Sequence, residues 1–124
     1  MSYQLNWKMP GLYINYFNTI SISTICNASI EVFGDSRSDH LQYIISDFSD
    51  VDKNDVHETQ TDIPAIVDKA ISIRINKIKM AFVAKDDLLK TLCTKYIDHS
   101  VSLENPWEFQ LFDTIDEARQ WVGA

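Results

Sequence analysis

Tyr3, Leu5 and Trp7 alternate with Gln4, Asn6 and Lys8, a period of two that predicts a strand with one wet face. Pro10-Gly11 predicts a turn, and Leu12–Phe17 the returning strand, giving a hairpin over 3–8 and 12–17. Beyond it the period changes. Ile22, Ile25, Cys26, Ser29, Ile30 and Phe33 follow helical spacing, with Ser21 placed to cap the helix and Gly34 to end it. Asp35–Asp39 reads as a polar loop, and His40–Phe48 is apolar on both alternating sets at its middle, which predicts an interior strand near 41–48. Thr61 or Asp62 caps a helix over 63–75, with Pro64 in its first turn and Ile63, Ile66, Val67, Ala70 and Ile71 as its apolar stripe. A second interior strand is predicted over 77–84, between charged ends. Asp86 or Asp87 caps a helix over 87–98 bearing Leu89, Leu92, Cys93, Tyr96 and Ile97 on one face. Asn105-Pro106 breaks the chain before a last strand over 108–112. Thr114 and Glu117 then form a capping box for a final helix, with Ile115, Ala118 and Val122 inward and Trp121 at the edge of the stripe.

The predicted order is β-β-α-β-α-β-α-β-α. Alternation after the hairpin implies parallel strands with right-handed crossovers, so the fold class is α/β: a five-stranded mixed sheet, one antiparallel edge strand and four helices. No linker or repeat interrupts the 124 residues, and one domain over 1–124 is expected.

Charge narrows the function classes. Eleven basic against 18 acidic residues give −7, so the overall basic field that nucleic-acid binding exploits is missing and no nucleic-acid partner is expected. The segment 69–95 runs against this balance. Lys69, Arg74, Lys77, Lys79, Lys85, Lys90 and Lys95 outweigh Asp86 and Asp87 to give +5, leaving −12 on the rest. Such a segment is either a set of solvated lysines or a cationic face toward anionic lipid or ligand. The N-terminal MSYQLNWKMPG has no apolar core, and the longest apolar run is Met80–Ala84. A cytoplasmic protein, meeting a membrane at most from its surface, is therefore expected. Cys26 and Cys93 each fall in a helical stripe, so both are expected to be buried, reduced and unbonded to each other.

Catalytic constellations are thin. His40, His57 and His99 lie in different segments, and no metalloprotease, nucleophile-elbow or P-loop motif is present. Asp52, Asp55, His57 and Glu58 share an acidic loop that offers oxygens without a glycine-pinned turn, so no metal and no cofactor are expected. Asp86 and Asp87 sit where helix starts attract acids, and nothing near Cys93 would activate its thiol. Trp7, Trp107 and Trp121, on an edge strand, in a loop and near the C-terminus, read either as satellite packing or as contact residues. No enzyme is expected.

Several segments resemble a family. They are Trp7 with Pro10-Gly11, Gly34-Asp35-Ser36-Arg37 with Asp39, the strand ending in Asp47-Phe48, and Phe109–Asp113 leading into the helix with Glu117, Ala118 and Trp121. Together they resemble the SpoIIAA-like family of small, mostly uncharacterised bacterial proteins over almost the whole chain. That family is similar in fold to STAS domains, which include anti-anti-sigma factors, and more distantly to CRAL-TRIO lipid-binding domains. The resemblance implies a non-enzymatic module that binds a hydrophobic or lipid-like ligand, or a protein partner in the anti-anti-sigma manner, with a homodimer among the alternatives. STAS regulators carry an Asp-Ser/Thr-Ser-Gly run that is phosphorylated. The matching stretch here, Asn54–Ile63, has Thr59 and Thr61 but no Ser or Gly, so no phosphosite is carried over.

For the ligand reading, the helices over 63–75 and 87–98 flank the basic segment. An apolar pocket lined by Ile66, Ala70, Leu89, Leu92 and Tyr96 is expected between them, with Lys69, Arg74 or Lys90 facing an anionic head group or lipid surface.

Overall fold

A computed structural model describes residues 2–124. Strands β1 (Tyr3–Lys8), β2 (Gly11–Ile20), β3 (Tyr43–Asn54), β4 (Lys79–Val83) and β5 (Glu108–Phe112) lie in that order across one sheet. β1 runs antiparallel to β2, and the three later pairs are parallel. The connections are the helices α1 (Ile22–Gly34), α2 (Asp62–Ser72) and α3 (Asp87–Ser102), with α4 (Ile115–Val122) following β5. The five-stranded mixed sheet, its one antiparallel pair and the four α-helices match the expected architecture.

The two apolar sets on β3 explain the layers. Ile44, Ser46 and Phe48 face the core under α1–α3, whereas Ile45 joins Ala81 and Val83 beneath Ala118 of α4 on the opposite side. Ser21 caps α1 by accepting from the Thr24 amide at 3.2 Å, and Asp86 caps α3 by accepting from the Leu89 amide at 3.1 Å. At α4 the Thr114 hydroxyl accepts from the Glu117 amide and also donates to the Glu117 carboxylate.

Several boundaries differ from the expectation. Gly11 belongs to β2 rather than to the turn, which is made by Met9 and a cis Pro10. The Tyr43 ring lies over Gly11 so closely that a side chain there would displace it. β3 runs on to Asn54 because β2 is long enough to pair with it as a ribbon, register Ile20 to Asn54, beyond the end of β4. Its acids do not oppose this, since Asp50 and Asp52 stay in water and Asn15 donates to Asp50 at 3.0 Å. Asn18, at φ 57°, takes the left-handed conformation where the register shifts. The supposed polar loop is a 3-10 helix, Ser36–His40, capped by Asp35, whose carboxyl the Arg37 guanidinium holds down at about 2. Ile30, assigned to the inner stripe of α1, is 64% exposed, and Ala28 and Val32 pack inward instead.

Candidate functional site

Beneath α1–α3 lies an apolar cavity of about 80 Å³. The sheet contributes Ile14, Tyr16, Ile44, Phe48, Met80 and Phe82 as its floor. Ile22, Ile25, Ser29 and Val32 of α1 line one wall, and Leu89, Leu92, Cys93 and Tyr96 of α3 line the other. α2 closes the roof with Pro64 and Asp68. Of the residues named from the sequence, Leu89, Leu92 and Tyr96 line this cavity, which lies between the sheet and α1–α3 and not between α2 and α3 alone.

Ile66 and Ala70 do not. α2 turns Pro64, Ala65, Asp68 and Ser72 inward, a face of mostly small residues that lets it lie against both α1 and α3. The larger apolar side chains are thereby sent outward. Ile63 is 41%, Ile66 55% and Ile73 83% exposed, with Ala70 between them, while Val67 and Ile71 are half-buried. The spacing 63, 66, 70, 73 is a helical stripe aimed at water rather than at the core. Periodicity read this face as the buried one; the signal that identifies the inner face is the recurrence of Ala65, Asp68 and Ser72.

Asp68 is the feature sequence reading missed. It is 3% exposed, accepts the Tyr96 hydroxyl at Oδ2, and has no partner at Oδ1 among the described residues. Burial pushes its carboxyl up to about 6; the Tyr96 hydrogen bond and the nearby Ser29 hydroxyl pull the other way. Tyr96 itself is raised well above its ordinary value, by burial first and by the charge of Asp68 second. A second buried acid, Asp47, lies on the opposite sheet face and is well satisfied, by the Tyr13 hydroxyl at 2.6 Å and by the Ser49 amide and hydroxyl.

The expected cationic rim is engaged within the chain. Lys69 donates to the Glu104 carbonyl at 3.1 Å, and Arg74 binds Asp39 and the Phe33 carbonyl. Lys90 pairs with Asp113 at 2.6 Å, which raises its ammonium. Each of these side chains ties a helix to a neighbouring loop. Lys79 donates to the Trp121 carbonyl, and Lys95 lies 3.8 Å from Glu58.

The remaining candidates separate. Asp52, Asp55, His57 and Glu58 are all exposed, and among the described residues no three His, Cys, Asp or Glu side chains gather closely enough to hold a metal ion. Thr59 is exposed. Thr61 opens α2 but gives it no side-chain cap, because its buried hydroxyl donates to the Glu58 carbonyl at 2.9 Å. Trp7 lies under the Arg37 guanidinium at 4.3 Å, Trp121 packs on Phe112, and Trp107 is buried.

Both cysteines are free, but Cys26 is only half-buried because it sits at the margin of the α1 face. Burial raises both thiols, that of Cys93 to about 12. A thiol reagent added to the native protein is therefore expected to modify Cys26 slowly and Cys93 only on unfolding. Rapid modification of Cys93 in the folded state would contradict this placement.

No protein-family model matches the chain, and no curated protein matches it. Solved structures do. The anti-sigma factor antagonist SpoIIAA in its unphosphorylated form is 13% identical, with a TM-score of 0.60 over 98% of each chain. SpoIIAA in its phosphorylated form, described as a Bacillus cell fate determinant, is 10% identical with a TM-score of 0.57 over 97% of this chain and 98% of that one. An uncharacterised DUF3478-family protein with a SpoIIAA-like fold from Shewanella loihica PV-4 is 12% identical with a TM-score of 0.54, over 97% and 91%. At these identities the likeness is one of fold: the chain has a SpoIIAA-like fold, and the CRAL-TRIO side of the resemblance gains nothing from these three structures. Among the described residues no helix is long and apolar enough to cross a membrane.

Proposed function

We propose that the chain, acting as one module over residues 1–124, is a non-enzymatic protein-interaction regulator whose partner is of the anti-sigma-factor kind. The observation that carries the reading is the outward stripe of Ile63, Ile66 and Ala70 on α2, continued by Ile73 at its C-cap, in a fold shared end to end with an anti-sigma factor antagonist. Exposed apolar patches on soluble domains mark interaction sites, and a helix face with anchors three and four residues apart suits docking onto another protein. With neither Ser nor Gly in the stretch 54–63, the phosphorylation motif is missing there and control by phosphorylation is left out of the proposal. So is peripheral membrane association, because Lys69, Arg74 and Lys90 already have partners within the chain.

The test is calorimetric titration against the anti-sigma factors encoded in the same genome. One of them should bind, and Ile66→Asp combined with Ile73→Asp should weaken that binding at least about tenfold. Both positions are exposed, so the melting temperature should hold. Binding by none of them, or equal binding by the double variant, would refute the reading.

A second reading, the uptake of a hydrophobic small molecule, is favoured by one observation: the apolar cavity between the sheet and α1–α3.

A further inference from the structure

We infer that this cavity is a binding site for a short aliphatic chain ending in a hydrogen-bond donor, an alcohol or a primary amine, whose donor is received by Oδ1 of Asp68. The inference rests on the second reading, that the cavity admits a small molecule, and adds the chemistry of what enters.

The lining is aliphatic and aromatic almost throughout, which selects an apolar body. Into it projects one carboxyl that is 3% exposed; Tyr96 holds one oxygen, and the other makes no hydrogen bond of ordinary geometry among the described residues, although the Ser29 hydroxyl lies near the carboxyl. A buried acceptor left unmade is a standing cost, so a group that supplies a donor there gains more than it would from the apolar walls alone. Tyr96 fixes the carboxyl from the α3 side, which aims the free oxygen without consuming it. Asp47 provides the contrast within the same chain: it is also buried, though less deeply, and is surrounded by donors, as a purely structural carboxylate would be. Burial raises Asp68 to about 6, and the ionised carboxylate present above that value accepts from an ammonium or from an alcohol hydroxyl alike.

Size sets the rest. A cavity of about 80 Å³, at about 10–15 Å³ of such space per water, has room for several water-sized groups. A chain of about three carbons with its head group is of that size, and a long acyl chain is several times larger.

The experiment is an amide chemical-shift titration of the whole chain with 1-propanol, n-propylamine and xenon, the last as an apolar probe. The expected result is saturable shifts at Ser29, Asp68, Leu89 and Leu92 with all three probes. Asp68→Asn should weaken n-propylamine at least about tenfold and leave xenon unchanged. The 1-propanol and n-propylamine arms separate a neutral from a cationic donor, and saturable binding of either at these residues supports the proposal. If xenon binds but neither donor does, or if Asp68→Asn binds both donors as tightly as the parent, the assignment to Asp68 falls while the cavity reading stands. If no probe gives saturable shifts there, both fall. Should Asp68→Asn not fold, Ser29→Leu, which fills the cavity from α1, must abolish the same shifts.

Discussion

Replacing Trp107 by alanine is expected to lower stability by about 3–5 kcal/mol and the melting temperature by roughly 10–20 °C. The residue follows Pro106 in the connection from α3 to β5, a place where sequence reading leaves a tryptophan between packing and contact. In the folded chain it is 4% exposed and stacks on Phe33 with ring centroids 5.6 Å apart. It also lies 6.4 Å from the Phe109 ring, and its indole N–H donates to the Ile75 carbonyl at 2.6 Å. It therefore joins α1, the turn after α2 and β5 at one point. Trp107→Phe keeps the stacking but leaves the Ile75 carbonyl without its donor, and should cost less, about 1–3 kcal/mol. Urea unfolding of the two variants checks the order; a Trp107→Ala change within about 1 kcal/mol of the parent would mean the ring is peripheral.

The second large effect depends on pH. The Asp68 carboxyl, at about 6 when folded, binds its proton more readily in the folded than in the unfolded chain. Its contribution is thus fully present below the unfolded value near 3.9 and is lost as pH rises through about 6, above which a buried charge is a standing cost. At about 1.4 kcal/mol per pH unit of displacement, that cost approaches roughly 3 kcal/mol before the new amide's own desolvation is subtracted. Asp68→Asn is accordingly expected to be more stable than the parent by about 1–2 kcal/mol at pH 8, with the advantage shrinking or inverting at pH 4. The groups facing Asp68 are Tyr16 on β2, Cys26 on α1, and Cys93 and Tyr96 on α3. All four are raised, so none titrates in this window. A stability difference that does not change with pH would sink the assignment. The same substitution that stabilises the chain at pH 8 should remove its amine site, a trade seen where a buried polar group serves function rather than stability.

Most of the architecture was legible because the two periods do not overlap. β3 and β4 are apolar on both faces, as strands covered on both sides must be, and the caps at Ser21, Asp86 and Thr114 stand where the pattern sets them. The site was only half legible. Leu89, Leu92 and Tyr96 follow from the stripe of α3, whose inner face is its apolar one. On α2 the logic inverts, because a helix wedged between two others packs through Ala65 and Ser72 and leaves its isoleucines in water. Asp68 could not be found by hydrophobic pattern at all, since its burial depends on a tyrosine 28 positions away. The cations failed as a rim for a similar reason: the carboxylates and carbonyls that hold Lys69, Arg74 and Lys90 come from distant segments.

The central claim is that the outer face of α2 receives a protein partner. The most direct measurement is an amide chemical-shift map of the labelled chain on addition of the anti-sigma factor that binds it. The account predicts perturbation centred on Ile63, Ile66, Ala70 and Ile73, with the half-open sheet face at Tyr13, Asn15 and Phe17 unmoved. Perturbation confined to that sheet face, with α2 silent, would contradict it.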